Sequence, residues 1–205
     1  MFSPKPKILH INGIAVPIDP DFRIMCGFSA AVLRRNAENL TDIAKRFFFA
    51  GLPDGVSQAA AAEAMDSFYA DGLAAAKSND TINCRTPTPC FDFEEDEGYF
   101  YAAFMGAYGI DLRTAKLHWL DFCALFKGLP DECKLKQIIG IRAQSLGEIK
   151  SGTERKRISK LKAIYGLKVK VKRRFEGAKE RNSAIMADLM RRNAEAERKM
   201  REVRK

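Results

Sequence analysis

The stretch FDFEEDEGYFYAAFMGAYGIDLRTAKLHWLDFCALFKGLP, residues 91–130, decides the fold. Its acids, Asp92, Glu94, Glu95, Asp96 and Glu97, open a helix predicted from Glu94 to about Tyr108, where negative charge suits the positive end of the macrodipole. Phe100, Ala103, Phe104 and Ala107 recur on one face of that helix, with Tyr101 and Tyr108 beside it. Gly109-Ile110-Asp111-Leu112 closes it, and a second helix is predicted from about Arg113 to Lys127 around the only Trp, Trp119. Leu117, Leu120, Cys123, Ala124 and Phe126 face inward there, and Gly128-Leu129-Pro130 ends the run. No nucleophile stands beside a base, no metal-ligand spacing occurs and no phosphate loop is present, so the stretch is a packing or docking unit.

Upstream, Lys7–Ile11 and Ile14–Ile18 flank Asn12-Gly13, the pair favoured in a two-residue type I′ turn because both positions need positive φ. A lone hairpin is marginal in water and must pack on helices. Asp21 caps a helix expected to reach about Ala37; Thr41 or Asp42 opens the next, stopped by Gly51-Leu52-Pro53. Ser57 begins an Ala-rich helix anchored by Met65, Phe68, Tyr69 and Leu73. Residues 78–90, with two prolines, form the best internal loop. Downstream, Asp131 caps a helix to about Ser145, and Ile158, Leu161, Ile164, Tyr165 and Leu167 mark another. The fold class is therefore mainly α: a small N-terminal β-hairpin packed on a bundle of about six helices, with a basic helical C-terminal tail. Residues 1–150 form the body, and residues 151–205 form the extension, partly packed on the body up to about residue 170.

At 205 residues and 46% hydrophobic content, one domain fits better than two. The apolar runs are far shorter than the roughly 20 residues that cross a bilayer, and MFSPKPKILHING lacks the apolar core of a signal peptide, so a cytoplasmic location is expected. Five cysteines without a C-x-x-C pair suit reduced thiols in such a compartment. The net charge of +9 is unevenly spread: residues 1–150 carry −3 and residues 151–205 carry +12. Arguments from charge about partners therefore concern the last quarter of the chain.

The acidic run is expected to be a solvated helix start or a partner surface rather than a metal site, because contiguous helical carboxylates diverge around the axis. His118 has no Ser or Cys at a diagnostic spacing and is expected to be structural, and the scattered glycines match no nucleotide fingerprint. No cofactor, metal or catalytic residue is expected. Three readings of the basic tail stay open: a solvated helix, a docking arm for a protein partner, and, ranked below these, a nucleic-acid arm. Its candidate basic surface comprises Arg155, Lys156, Arg157, Lys172, Arg173, Arg174, Arg191 and Arg192. Met186, Leu189, Asn193, Ala196, Met200 and Val203 trace a short coiled-coil-like seam.

Several ordered elements carry a resemblance. They are Asp19-Pro20-Asp21-Phe22-Arg23 after the hairpin, Phe91-Asp92-Phe93 with Asp96, Tyr101-Ala102 with Phe104, and Tyr108-Gly109-Ile110-Asp111-Leu112. Leu117-His118-Trp119 with Phe122 and Leu125, Gly128-Leu129-Pro130, and Ile139 with Ile141-Arg142 follow in order. From about residue 8 to about residue 170 the chain resembles the bacteriophage gene-product-fifteen family of long-tailed phages and prophages. That resemblance implies a non-catalytic tail assembly chaperone in the host cytoplasm, which keeps the tape measure protein soluble and helps tail tube subunits assemble around it. The implied partners are the tape measure protein and then the tail tube protein; a homo-oligomer is a separate option, nucleic acid ranks below these, and no membrane partner is expected. Phe91, Phe93, Tyr101, Trp119 and Phe122 are the candidate client-binding aromatics, against the alternative that they fill the chain's own core. A structural virion component, such as a tail completion or connector protein, is the alternative function.

Overall fold

Asn12 and Gly13 both take positive φ, 53° and 81°, and so close the type I′ turn between two antiparallel strands, β1 (Ile8–Ile11) and β2 (Ile14–Pro17). The register pairs Leu9 with Val16 and Ile11 with Ile14. Ile11 and Val16 are buried beneath it, so the ribbon has the apolar support a hairpin needs. A computed structural model describes residues 5–75 and 89–168. Within them seven helices follow the hairpin: α1 (Phe22–Arg34), α2 (Ala37–Phe47), α3 (Gln58–Ala75), α4 (Glu97–Tyr108), α5 (Trp119–Lys127), α6 (Lys134–Ala143) and α7 (Gly152–Tyr165). Among the described residues the chain is thus mainly α, with α1 to α6 falling before residue 150 and α7 after it. Most of the expected 78–90 loop and the seam from Met186 to Val203 lie outside the described residues.

Local chemistry sets the helix ends. The Asp21 side chain accepts from Arg23 N and caps α1, and Ser57 Oγ accepts from Ala60 N at the start of α3. The first helical break falls earlier than expected. Arg35 takes the left-handed conformation, φ 54°, and Asn36 rather than Thr41 or Asp42 caps α2 through Asn39 N. α4 begins at Glu97, after a turn over 93–96, instead of at Glu94. α5 begins at Trp119, not Arg113, because the preceding segment is spent in turns: Asp111 receives the N–H groups of Arg113, Thr114 and Ala115. Arg23 reaches across from α1 to take the carbonyls of Leu112 and Ala115 at 3.0 and 2.7 Å, which pins that segment to the body.

Two backbone bonds knit the start of α1 to the start of α5: Phe22 N to Leu117 O at 3.1 Å and Trp119 N to Pro20 O at 2.8 Å. His118 sits between them with both ring nitrogens used. Nδ1 accepts from Leu120 N, and Nε2 donates to Pro6 O, the tautomer that this pair of contacts requires. Its role is to cap α5. Trp119 then enters the core fully buried, stacks on Tyr69 of α3 at 5.4 Å, and donates Nε1–H to Tyr69 O at 3.2 Å. Gly72, one turn along α3, makes room for it: a Cβ there would lie 2.1 Å from the indole Nε1.

Around Trp119 the core is mostly aromatic. Phe122 stacks between Phe22, at 4.7 Å, and Phe104, at 5.0 Å, so one ring joins α1, α4 and α5. Phe93 meets it edge-on, Phe100 at a tilt, and Phe126 lies near-parallel at 6.5 Å. Ile138 and Ile158 are buried apart from this cluster, and Ile158 is the one buried residue of α7. Gly72→Ala should lower stability by about 1–3 kcal/mol in urea unfolding, because the new methyl overlaps the indole. Gly106→Ala, at an α4 position with no heavy atom within 4 Å, should instead raise it by about 0.5–1 kcal/mol.

Candidate functional site

The acidic run proves to be internal wiring. Asp92 and Asp96 are each 1% exposed, which departs from the expected solvated helix start. The reason is a pair of arginines brought in by other helices. Arg34, from the end of α1, grips Asp92 with Nη1–Oδ2 at 2.9 Å and Nη2–Oδ1 at 3.3 Å, and its Nε meets Glu94 at 2.9 Å. Arg142, from the end of α6, grips Asp96 at 2.6 and 2.9 Å. Asp92 Oδ1 also accepts the N–H groups of Glu94 and Glu95, and Asp92 N donates to Asp96 Oδ2. The turn is thereby a closed network in which each buried carboxylate has a cation and backbone donors.

Arg142 carries the network further. It donates to Cys90 O at 3.2 Å and to Tyr165 O at 2.6 Å, while Lys168 N donates to Glu95 Oε2 at 2.9 Å. The end of α7 is tied to the acidic turn by polar bonds. Burial pushes the Asp92 carboxyl upward, but the Arg34 hydrogen bond, the two backbone donors and the Arg34 charge outweigh it and hold the group below the ordinary carboxylate range.

The five candidate aromatics divide. Phe93, Trp119 and Phe122 are buried in the chain's own core, Phe91 is half-buried against Phe93, Phe100 and Phe126, and Tyr101 is half-exposed under the Arg113 guanidinium, 4.4 Å from its ring centroid. Three of them meet at one cleft of about 250 Å³ between α1, α4 and the 112–113 turn. Phe22, Phe93, Phe100 and Phe122 make its floor, with Tyr101, Leu112, Arg23, Arg113, Glu97 and Cys26 around them. Phe91 and Trp119 do not line it. Phe22, Arg23, Leu112 and Arg113 were missing from the sequence expectation; the order Asp19–Arg23 and the Gly109–Leu112 turn drew attention to those segments, but helical periodicity could not place them together.

The thiols at and near the cleft are not activated. Cys26 has its thiol pushed up by burial, then by Cys123 and Asp21, with Arg23 pulling the other way, so it stays protonated; burial does the same to Cys123. Cys26, Cys123 and Cys133 are free, whereas Cys90 is disulfide-bonded, a departure from the expectation of thiols throughout. Among the described residues no group of three or more His, Cys, Asp or Glu is arranged to hold a metal, and no helix is long and apolar enough to cross a membrane. A second, more open cleft of about 470 Å³ lies between α1 and α2, with Arg34, Asn36, Asn39 and Glu94 at its edge. Of the candidate basic residues, Arg155, Lys156 and Arg157 are exposed on α7. Lys172, Arg173, Arg174, Arg191 and Arg192 lie outside the described residues.

The family model described as Bacteriophage Gp15 protein matches residues 58–167. The match spans α3 to α7, so it contains the acidic turn, Trp119 and most of the cleft, and it begins well after the residue 8 from which the resemblance was traced. No curated protein and no solved structure matches the chain.

Asp96→Asn leaves the Arg142 guanidinium, only 9% exposed, without its counter-charge and should cost about 3–5 kcal/mol in urea unfolding. The Asp92 contribution depends on acid. Its folded pKa is depressed below the unfolded value, so the stabilisation is fully present above about pH 4 and is lost as pH falls through the folded value. Unfolding free energy should therefore drop between about pH 5 and pH 2 in the parent chain and drop less steeply in Asp92→Asn, which starts lower at neutral pH.

Proposed function

We propose, from the premise that this chain belongs to the Bacteriophage Gp15 family, that it is a non-catalytic tail assembly chaperone that binds the tape measure protein and assists assembly of the tail tube. The observation that carries this reading is the aromatic cleft at the meeting of α1, α4 and the 112–113 turn. A tape measure protein is a very long, mostly helical chain whose apolar stripes need cover before the tube supplies it. A cleft with an apolar floor and charged rim receives an apolar side chain from such a helix by helix-in-groove binding, with Glu97, Arg113 and Arg23 left to meet polar neighbours.

The division of the aromatics supports the assignment of roles. Phe93, Phe100 and Phe122 are locked by their packing on Trp119, Phe104 and Phe126 and form a rigid floor. Tyr101 and Arg113 stand at the rim, where a planar cation stacked on a ring offers contact area at little entropic cost. The chaperone acts in the cytoplasm of the bacterial host, where tails are built, and leaves the tube once the tape measure is enclosed.

Co-expression with the tape measure protein encoded by the same phage should raise the client's soluble fraction and co-purify it. Tyr101→Ala with Arg113→Ala should reduce the co-purified client by about tenfold, equivalent to about 1.4 kcal/mol, while the thermal unfolding midpoint stays close to that of the parent. Unchanged client solubility with and without this chain would refute the chaperone reading. Fixed stoichiometric copies in purified virions would instead favour a structural tail component.

A further inference from the structure

α7 is held to the body by one side of the helix. Ile158 is its buried residue, and Leu161, Lys162 and Tyr165, three, four and seven positions on, are half-covered, with Lys162 Nζ donating to Arg142 O. The opposite side is open. Lys156, Lys160 and Ile164 follow one another at intervals of four and form an outward ridge, and Ile164 is 70% exposed. Arg157 beside them is neutralised by Glu154, whereas neither Lys156 nor Lys160 has an ion-pair partner among the described residues. A basic ridge with an uncovered isoleucine suits an acidic helix that offers small side chains, since lysine stems and the isoleucine can pack while the ammonium groups reach carboxylates.

The chain itself carries such a helix. α3 contains Glu63, Asp66 and Asp71 and no Lys or Arg. From Glu63 onward its exposed positions are Glu63, Ser67, Ala70, Asp71 and Ala74, and neither Glu63 nor Asp71 is paired with a described cation. Two carboxylates eight residues apart, about 12 Å along the axis, flank Ser67 and Ala70, which leave room for Ile164. Both faces are open to solvent within a single chain, so a contact between them joins two molecules.

We propose that the Lys156–Lys160–Ile164 ridge of α7 docks on the Glu63–Asp71 face of α3 in a second copy of this chain. The two faces differ, so the contact is heterologous and leaves one ridge and one acidic face unused at the ends of any open row. Copies therefore add head to tail. The argument rests on burial and charge alone and holds whether or not the client is a tape measure protein.

The full-length chain should self-associate in analytical ultracentrifugation at about 50 mM salt and do so at least tenfold more weakly at about 500 mM, where screening is nearly complete. Lys156→Glu with Lys160→Glu, Glu63→Lys with Asp71→Lys, and Ile164→Ser should each weaken association at least tenfold, with circular dichroism melts matching the parent. Mixing the two charge-reversed proteins should restore association between them, because the reversed ridge of one then meets the reversed α3 face of the other, and the unaltered ridge and face pair likewise. A chain that stays monomeric at about 50 mM salt, association untouched by these variants, or a mixture that fails to recover would each overturn the proposal.

Discussion

Two buried carboxylates four residues apart, each clasped by an arginine from a different helix, are the constraint on which this molecule is arranged. An ionised carboxylate taken out of water without a partner is prohibitively costly, so Asp92 and Asp96 admit only conformations that bring Arg34 and Arg142 to them. The arginines stand at the last residue of α1 and near the last turn of α6, where a cation also suits the negative end of each helix. Fixing the 92–96 turn fixes Phe91 and Phe93 on either side of Asp92, and these rings enter the cluster around Phe100, Phe122 and Phe126. The polar network and the aromatic core specify one another.

Much of this was legible because it is local. Asn12-Gly13 announces the hairpin through its demand for positive φ, and Asp21 and Ser57 announce helix starts because a cap is satisfied within three residues. What escaped is long-range. Arg35 in a left-handed conformation breaks α1 from α2 where no glycine marks the place, and the 111–117 segment looks helical until Arg23, nearly ninety positions away, claims its carbonyls. The acidic run looked solvated because nothing near it in sequence neutralises it; Arg34 and Arg142 lie 58 and 46 positions off. The aromatic cleft has the same character: the stretch predicts which residues are aromatic, but only the packing of α1 against α5 and the reach of the 112–113 turn decide that Tyr101 faces outward while Trp119 and Phe122 do not.

The same wiring links the proposed client cleft to the proposed docking ridge. Asp96 follows the cleft residue Phe93 by three positions and opens α4, which supplies Glu97 and Tyr101; through Arg142 it also holds the Tyr165 carbonyl at the end of α7. The cleft floor is therefore rigid for reasons independent of any client. α7, by contrast, contributes one fully buried side chain and is secured chiefly by polar bonds at its end. A rigid apolar cleft and a basic ridge turned outward suit the proposed role of covering a long helical client in many copies.

The reading of the cleft as the client-binding surface is tested most directly by placing a photo-crosslinking amino acid at position 101 and irradiating the complex with the co-expressed tape measure protein. The account predicts a covalent adduct at position 101 and little or none from the same probe at exposed Ser159 on α7. An adduct at position 159 with none at position 101 would contradict it.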